Sequence, residues 1–407
     1  MKPRILHRCF QAATVARASL AKRLRMWEFA NHGRRHFRGD KRYDLQNVTA
    51  GFKSVMDSSI DDSKLLDRIC AAYIQTREQE HFASDAYKVP EVWERVRERS
   101  LGPVIRALLN RDTETLGNMY RNLFRDTCSS GLLAPPNGMS KAYFGGEIKD
   151  MYRHFYLSHV LYRLDYWKTV TEGRFALSHL KGPGVGNPFG VVIDGTPISV
   201  GSEYAHYCAQ RVGSLFRSDR TTVAEIRGGF GGIAYYLLRD HPAITYLNFD
   251  VPESIALSSY YLMKSFPRLD FLLYGEDEVT QETIDRANVV LMPLFEIQTM
   301  PAEIVDLTFS SYGLSTMSSE RLGSYLERAS TMTRDCLLYM NNERTSEVTK
   351  NVLCTEPSNF KLTDTRFSEW HSHKISGAGV GGAAALATST TFEQCFVRSA
   401  ADEILNS

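Results

Sequence analysis

The chain has 407 residues, enough for one large domain or two ordinary ones with an ample core. It is 43% hydrophobic and 23% charged, the composition of a soluble globular protein, and no apolar run reaches the roughly 18 residues of a membrane-spanning helix. Seven scattered cysteines with no C-x-x-C pair argue against a disulfide framework and a cysteine zinc site, and for a reducing, cytoplasmic compartment.

The net charge of +1 conceals a basic N-terminal segment, residues 1–50, in which the first 42 residues hold twelve Lys or Arg against Glu28 and Asp40. Apolar residues interleave with these charges (Leu20, Leu24, Trp27, Phe29), so the segment reads as a basic amphipathic helix. Such a helix either packs on the body of the protein or makes peripheral contact with the inner face of an anionic membrane. It also has the Arg-rich, acid-poor character of a transit peptide, but no uninterrupted apolar stretch of a secretory signal. Nothing in it points to nucleic acid.

Residues 51–185 form a helical region. Apolar residues recur three and four apart from Leu65 to Arg125, and again from Glu147 to Thr171. The second stretch carries an aromatic stripe (Tyr152, Phe155, Tyr156, Tyr162, Tyr166, Trp167) that serves either as helix-packing core or as a sugar-stacking surface. Ala134 to Gly138 is a loop, and Lys181-Gly-Pro-Gly-Val-Gly-Asn-Pro188 marks the boundary to the third part, residues 186–407. There, Asp194-Gly195 sits between two short apolar runs as a tight hairpin.

From Val223 the pattern alternates. Strands are predicted over 222–226, 244–250, 288–293, 304–310 and 336–341, with helices over 231–240, 253–265 and 318–332. This predicts an α/β fold, a Rossmann-like parallel sheet with helices on both faces, preceded by the helical region. The most informative stretch is T-V-A-E-I-R-G-G-F-G-G (222–232): a strand, an acid, a glycine-dense turn and a helix start. In a nucleotide-binding sheet such a turn lets backbone approach the ligand, and the helix N-terminus offers free N–H groups. Asp250 ends the next strand, at the distance expected of a ribose acceptor, although an Asp before Pro252 also suits a helix cap.

These residues resemble the S-adenosylmethionine-dependent methyltransferases of the Rossmann-like class, and within them the bacterial sugar O-methyltransferases. The resembling pieces are G-N-P-F-G-V-V-I-D-G-T-P-I-S-V (186–200), E-I-R-G-G-F-G-G-I-A-Y-Y-L-L (225–238), F-D-V-P-E-S-I-A-L-S-S-Y-Y-L-M (249–263), V-D-L-T-F-S-S-Y-G-L-S-T-M-S-S-E (305–320) and T-F-E-Q-C-F-V-R (391–398). The resemblance implies S-adenosylmethionine as cofactor, a saccharide or glycolipid-precursor hydroxyl as acceptor, and a closing antiparallel hairpin. It gives cofactor contacts to Glu225, Gly228, Gly229, Gly231 and Asp250. The chain departs from the pattern at Arg227, where the turn's first glycine is expected.

Proton removal from a hydroxyl calls for a base, and histidine is the first candidate. His206 stands before the first sheet strand; His371 and His373 stand in W-H-S-H, whose spacing also allows a metal pair with no identifiable third ligand. Ser310, Ser311 and Tyr312 are expected to line the site, and Asp306, at a strand start, to be structural. The cluster Gly377 to Gly382 reads as a loop over the site. Two alternatives stay open: an NAD-dependent oxidoreductase on a similar sheet, and a non-catalytic scaffold in which Arg227 blocks the turn.

Overall fold

The computed structural model describes residues 20–21, 23–56, 61–133, 148, 150–315, 317–372 and 390–399. His373, the Gly377 to Gly382 cluster and the Ala134 to Gly138 loop lie outside them. The D-G hairpin forms as the sequence predicts: β1 (Gly190–Ile193) pairs antiparallel with β2 (Thr196–Ser199). Asp194 and Gly195 take φ of 50° and 74°, the left-handed pair that a two-residue turn of this twist requires.

The main sheet comprises β3 (Thr222–Ile226), β4 (Thr245–Asp250), β5 (Phe271–Leu273), β6 (Val289–Pro293), β7 (Val305–Ser311), β8 (Thr333–Asn342), β9 (Phe360–Ser368) and β10 (Thr391–Arg398). Its order is β5-β6-β4-β3-β7-β8-β10-β9. Every pair from β5 to β8 is parallel, whereas β10 runs antiparallel to both β8 and β9. The closing hairpin is therefore present, with the last strand inserted inside the edge. Asp306 is structural, as expected: its carboxylate accepts from Thr222 N–H at 2.8 Å and pairs with Arg334.

Alternation along the strands gives the sheet two apolar faces. Val223, Tyr246, Leu291, Leu307 and Leu338 point into one core; Ala224, Leu247, Val290, Val305 and Leu337 point into the other. The first core is covered by α8 (Ser202–Gly213), α9 (Gly232–Asp240), α10 (Pro252–Ser265) and the helical region; the second is covered by α11 (Gln281–Arg286), α12 (Ser319–Met332) and α13 (Glu343–Leu353). Glu225 shares its face with Val223, so the acid belongs to the first side.

The helical region contains α1 (23–36), α2 (Leu45–Gly51), α3 (Ser63–Gln79), α4 (Glu91–Val96), α5 (Gly102–Leu109), α6 (Thr113–Tyr120) and α7 (Met151–Val170). The aromatic stripe of α7 is packing: Phe155, Tyr156 and Trp167 are fully buried, and Tyr162 packs against Phe29 and Phe37 of the N-terminal segment. The region is bolted to α10 through Glu253, whose buried carboxylate accepts from Tyr73 Oη (2.8 Å), Trp93 Nε1 (2.9 Å) and Arg97 Nε (2.9 Å).

Candidate active site

β3 ends between β4 and β7, where the strand order changes direction, and the crevice at such a switch point is where open α/β sheets bind ligands. The turn after β3 is built from below by β4. Arg227 N–H donates to Phe249 O (2.8 Å), Gly228 N–H to Asn248 Oδ1 (3.2 Å) and Gly229 N–H to Asp250 Oδ2 (2.8 Å). Glycine is required at 228: a Cβ there would stand 2.8 Å from Glu225 Oε2 and 2.9 Å from Asn248 Oδ1. At Gly229, φ is +62° and a Cβ would meet open space, so this backbone faces the void. Arg227 has φ of 65°, the left-handed conformation that the missing glycine would adopt freely. Holding a branched-off Cβ there costs on the order of 1–3 kcal/mol.

Above the turn lies a cavity of about 350 Å³. Glu225, Arg227, Gly228, Gly229 and Gly232 form its floor. One wall is the loop from Ser199 to Ser202 that follows the D-G hairpin, together with Tyr204 of α8; another is aromatic, from Phe230, Tyr236 and Tyr261. The far side is closed by His159 and Arg163 of α7, by Ser311 at the end of β7, and by His371.

Glu225 is 1% exposed, and its Oε2 accepts from Tyr246 Oη at 2.5 Å. Among the described residues no cation pairs with it. Burial pushes its carboxyl up to about 8, opposed by the Tyr246 hydrogen bond and reinforced by Asp250. Asn248 Nδ2, buried beside it, also has no partner among the described residues. Asp250 does not reach the cavity wall. Its two oxygens accept from Val251 N–H (2.7 Å) and Gly229 N–H (2.8 Å), so it braces the turn. Burial raises its pKa, and the charge of Arg227 and the two backbone hydrogen bonds oppose that rise. Gly231 packs on Leu262 with φ of +92° and opens α9 rather than lining the void.

The histidines separate. His206 is in the core: it accepts from Trp167 Nε1 at 3.3 Å, is ringed by Phe175 and Tyr236, and is pushed down to about 4 by burial. It sits on the inward face of α8, whereas Ser202, Tyr204 and Ala205 of the same helix face the cavity. His371 does line the cavity, edge-on to Tyr312 at 4.4 Å between ring centroids, and burial together with the Arg163 charge pushes it down to about 3. Of the expected lining residues, Ser311 is on the wall and Tyr312 supports His371, whereas Ser310 turns its hydroxyl onto Ile226 O (3.0 Å). No cluster of three or more His, Cys, Asp or Glu that would hold a metal ion occurs among the described residues.

Arg163 is absent from the sequence-based candidates. It pairs with Glu203, donates to Trp370 O (3.2 Å) and lies over the Trp370 ring at 4.9 Å, fixing the segment that carries His371. No spacing signal connects residues 163, 203 and 370; only the folded chain brings them together.

No family model matches the chain, and no curated protein matches it. Solved structures do. Magnesium protoporphyrin IX methyltransferase from Synechocystis PCC 6803 with bound SAM is similar over 59% of this chain and 97% of its own, at 10% identity and a TM-score of 0.33. A SAM dependent methyltransferase from Aquifex aeolicus is similar over 46% of this chain and 89% of its own (13% identity, TM-score 0.29). TYW2 of M. jannaschii in complex with AdoMet covers 48% of this chain and 76% of its own (12% identity, TM-score 0.30). These superpositions are loose, and the class of fold rests on the sheet itself. Parallel strands in this order, with helices on both faces and a reversed strand inserted before the last edge, make a Rossmann-like doubly wound sheet.

Proposed function

We propose that the chain is an S-adenosylmethionine-dependent O-methyltransferase whose acceptor is a sugar hydroxyl. The observation that carries the cofactor reading is Glu225: a buried carboxyl at the end of the first parallel strand, on the floor of the cavity, with no cationic partner among the described residues. A buried carboxylate without a cation is costly, and the ammonium of the cofactor's methionine end supplies the charge that this site lacks. Gly229 and the N-terminus of α9 offer backbone beside it. Arg227, on the same floor, is where the turn carries a side chain in place of the expected glycine.

When bound, the cofactor supplies a methyl group on an already activated sulfonium. The protein's own tasks are alignment and removal of the hydroxyl proton. Phe230, Tyr236 and Tyr261 give the acceptor an apolar wall, and Tyr204 and the Ser199 to Ser202 loop border it with polar groups. Two imidazoles, His159 and His371, lie on the wall; His371 is held neutral by burial and by the Arg163 charge, which also makes it a weak base. Support for a sugar comes from the motif resemblance at 186–200, whose C-terminal end forms the cavity wall next to Gly201.

Titration calorimetry with the demethylated cofactor product and with NAD tests the first half. Saturable binding of the former that weakens at least tenfold in Glu225→Gln is expected; binding of NAD alone overturns the reading. Mass spectrometry of glycans from a deletion strain tests the acceptor, with loss of one CH₂ per missing methyl group expected. Unchanged glycans beside an undermethylated protein or small metabolite refute the sugar while leaving methyl transfer in place.

A further inference from the structure

On the far side of α7 from the cavity, α1 has two apolar faces with different fates. Met26 and Ala30 are buried, as is Phe37 just after the helix, its ring 4.9 Å from Tyr162 of α7, and Gly33 packs so closely that a Cβ would stand 2.1 Å from Ser158 Oγ. Phe29 joins them, its ring 5.3 Å from Phe155. The helix is thus clamped in place. Trp27 and Leu24, with Leu20 one turn earlier, lie off this buried face and are 55%, 52% and 60% exposed. At steps of four and three they form one stripe. Exposed Arg23, Arg34 and Arg35 flank it, with Arg25 and Arg38 nearby, against a single exposed acid on the helix, Glu28.

Beside the stripe is a second cavity of about 370 Å³, bordered by Trp27, Asn31, Arg34, Arg153 and His154, with Asp150 as its one carboxylate. Arg153 is held in position by donating from Nε to Ile148 O (2.8 Å), and His154 is steadied by Tyr43 Oη at 3.2 Å from its Nδ1. Two guanidiniums and an amide converge on a void next to an exposed tryptophan.

We propose that this face docks on an anionic lipid bilayer, with Leu20, Leu24 and Trp27 entering the boundary between headgroups and acyl chains and Arg34 and Arg153 receiving a lipid phosphate. The charge decides the occupant. An arginine-flanked apolar stripe over a rigid platform, with one exposed acid on the helix, matches the two contributions by which interfacial helices bind, apolar burial and attraction to anionic headgroups. Trp at the stripe's end is the residue type that prefers this interface.

The chain holds four tryptophans, and Trp93, Trp167 and Trp370 are buried, so emission changes on vesicle binding report Trp27. The full chain is mixed with vesicles of phosphatidylcholine alone and of phosphatidylcholine with phosphatidylserine, and both emission and co-sedimentation are read. Blue-shifted emission and sedimentation with the anionic vesicles only, diminished by added salt, are expected. Arg34→Ala and Arg153→Ala should each weaken partition about fivefold. Trp27→Glu and Leu24→Glu should nearly abolish it; these side chains are exposed, and unchanged circular dichroism confirms that the variants fold. Equal binding to neutral vesicles, absence of binding to either, or full binding by the Glu variants overturns the proposal.

Discussion

A single carboxyl sets the pH behaviour expected of the site. Glu225 has an ordinary value of 4.5 raised to about 8 in the folded chain. Without ligand its contribution to stability is fully present below 4.5 and is lost as pH rises through about 8, because the unfolded chain ionises first. A cationic ligand reverses the preference by favouring the carboxylate. Affinity for the cofactor product should therefore improve by up to about tenfold per pH unit from pH 6 toward 8 and then level off, with proton release visible as a buffer-dependent enthalpy. Glu225→Gln should flatten that profile; a profile unchanged in the variant assigns the titration elsewhere. Two residues away, Arg227 decides between enzyme and scaffold. Its charge acts on Asp250, the residue that the resemblance gives to the ribose. Arg227→Gly relieves the left-handed strain and clears a side chain from the cavity floor, so product binding measured by calorimetry should tighten severalfold. Weaker binding would show that the guanidinium itself grips the cofactor, and binding only in the variant would make the natural chain a scaffold. At this scale the sequence was legible in placing Glu225 and Gly228 at a cavity, where an acid and a close backbone approach coincide. It was opaque where a side chain's direction decides: His206 and Tyr204 are two residues apart on α8, and one is in the core while the other borders the cavity.

Elements were legible in proportion to their burial. The strands β3, β4, β6 and β7 run through the middle of the sheet, carry continuous apolar runs and lie within a residue of their expected limits. β5 and α11, of three and six residues, are too short to show a period, and β9 is an edge strand with the polar run K-L-T-D-T-R. Neither kind of element announces itself locally; tertiary pairing makes them. The join between helical region and sheet was equally hidden, because it rests on Glu253, a residue that the sequence presents only as the acid after a helix-starting proline. Tyr73, Trp93 and Arg97 come from two separate stretches to reach it, and Arg97 also meets Glu80 and Glu94. Replacing Glu253 by Ala leaves buried donors without their acceptor, and a loss of about 3–5 kcal/mol is expected from denaturant melts. Glu253→Gln keeps an acceptor and the volume and should lose less. If both variants unfold at the wild-type midpoint, the network is ornamental and the helical region is held by apolar packing alone.

For the whole molecule the question is whether residues 1–50, 51–185 and 186–407 behave as separate units. One continuous apolar core answers in structural terms. It runs from Met26 of α1 through Tyr73, Tyr120 and Trp167 to Val223, Tyr260 and Cys395, so the same buried surface belongs to the helical region and to one face of the sheet. The candidate active site has the same dual parentage: its floor comes from the turn after β3 and its far side from His159 and Arg163 of α7. Without the helical region, α10 would expose Tyr260 and the buried acid Glu253 to water along with the apolar surface around them, which favours association. The chain should therefore unfold in one transition, with far-ultraviolet circular dichroism, which reports all helices and strands, tracing the same curve as tryptophan emission, which is dominated by Trp93 and Trp167 in the helical region and Trp370 against α7 and α8. The isolated fragment 186–407 should bind hydrophobic dyes, aggregate and fail to bind the cofactor product, although it contains the entire glycine turn. Two separated transitions, or a fragment that binds the product as the full chain does, would make the helical region an accessory to a self-sufficient sheet and would remove α7 from the architecture of the site.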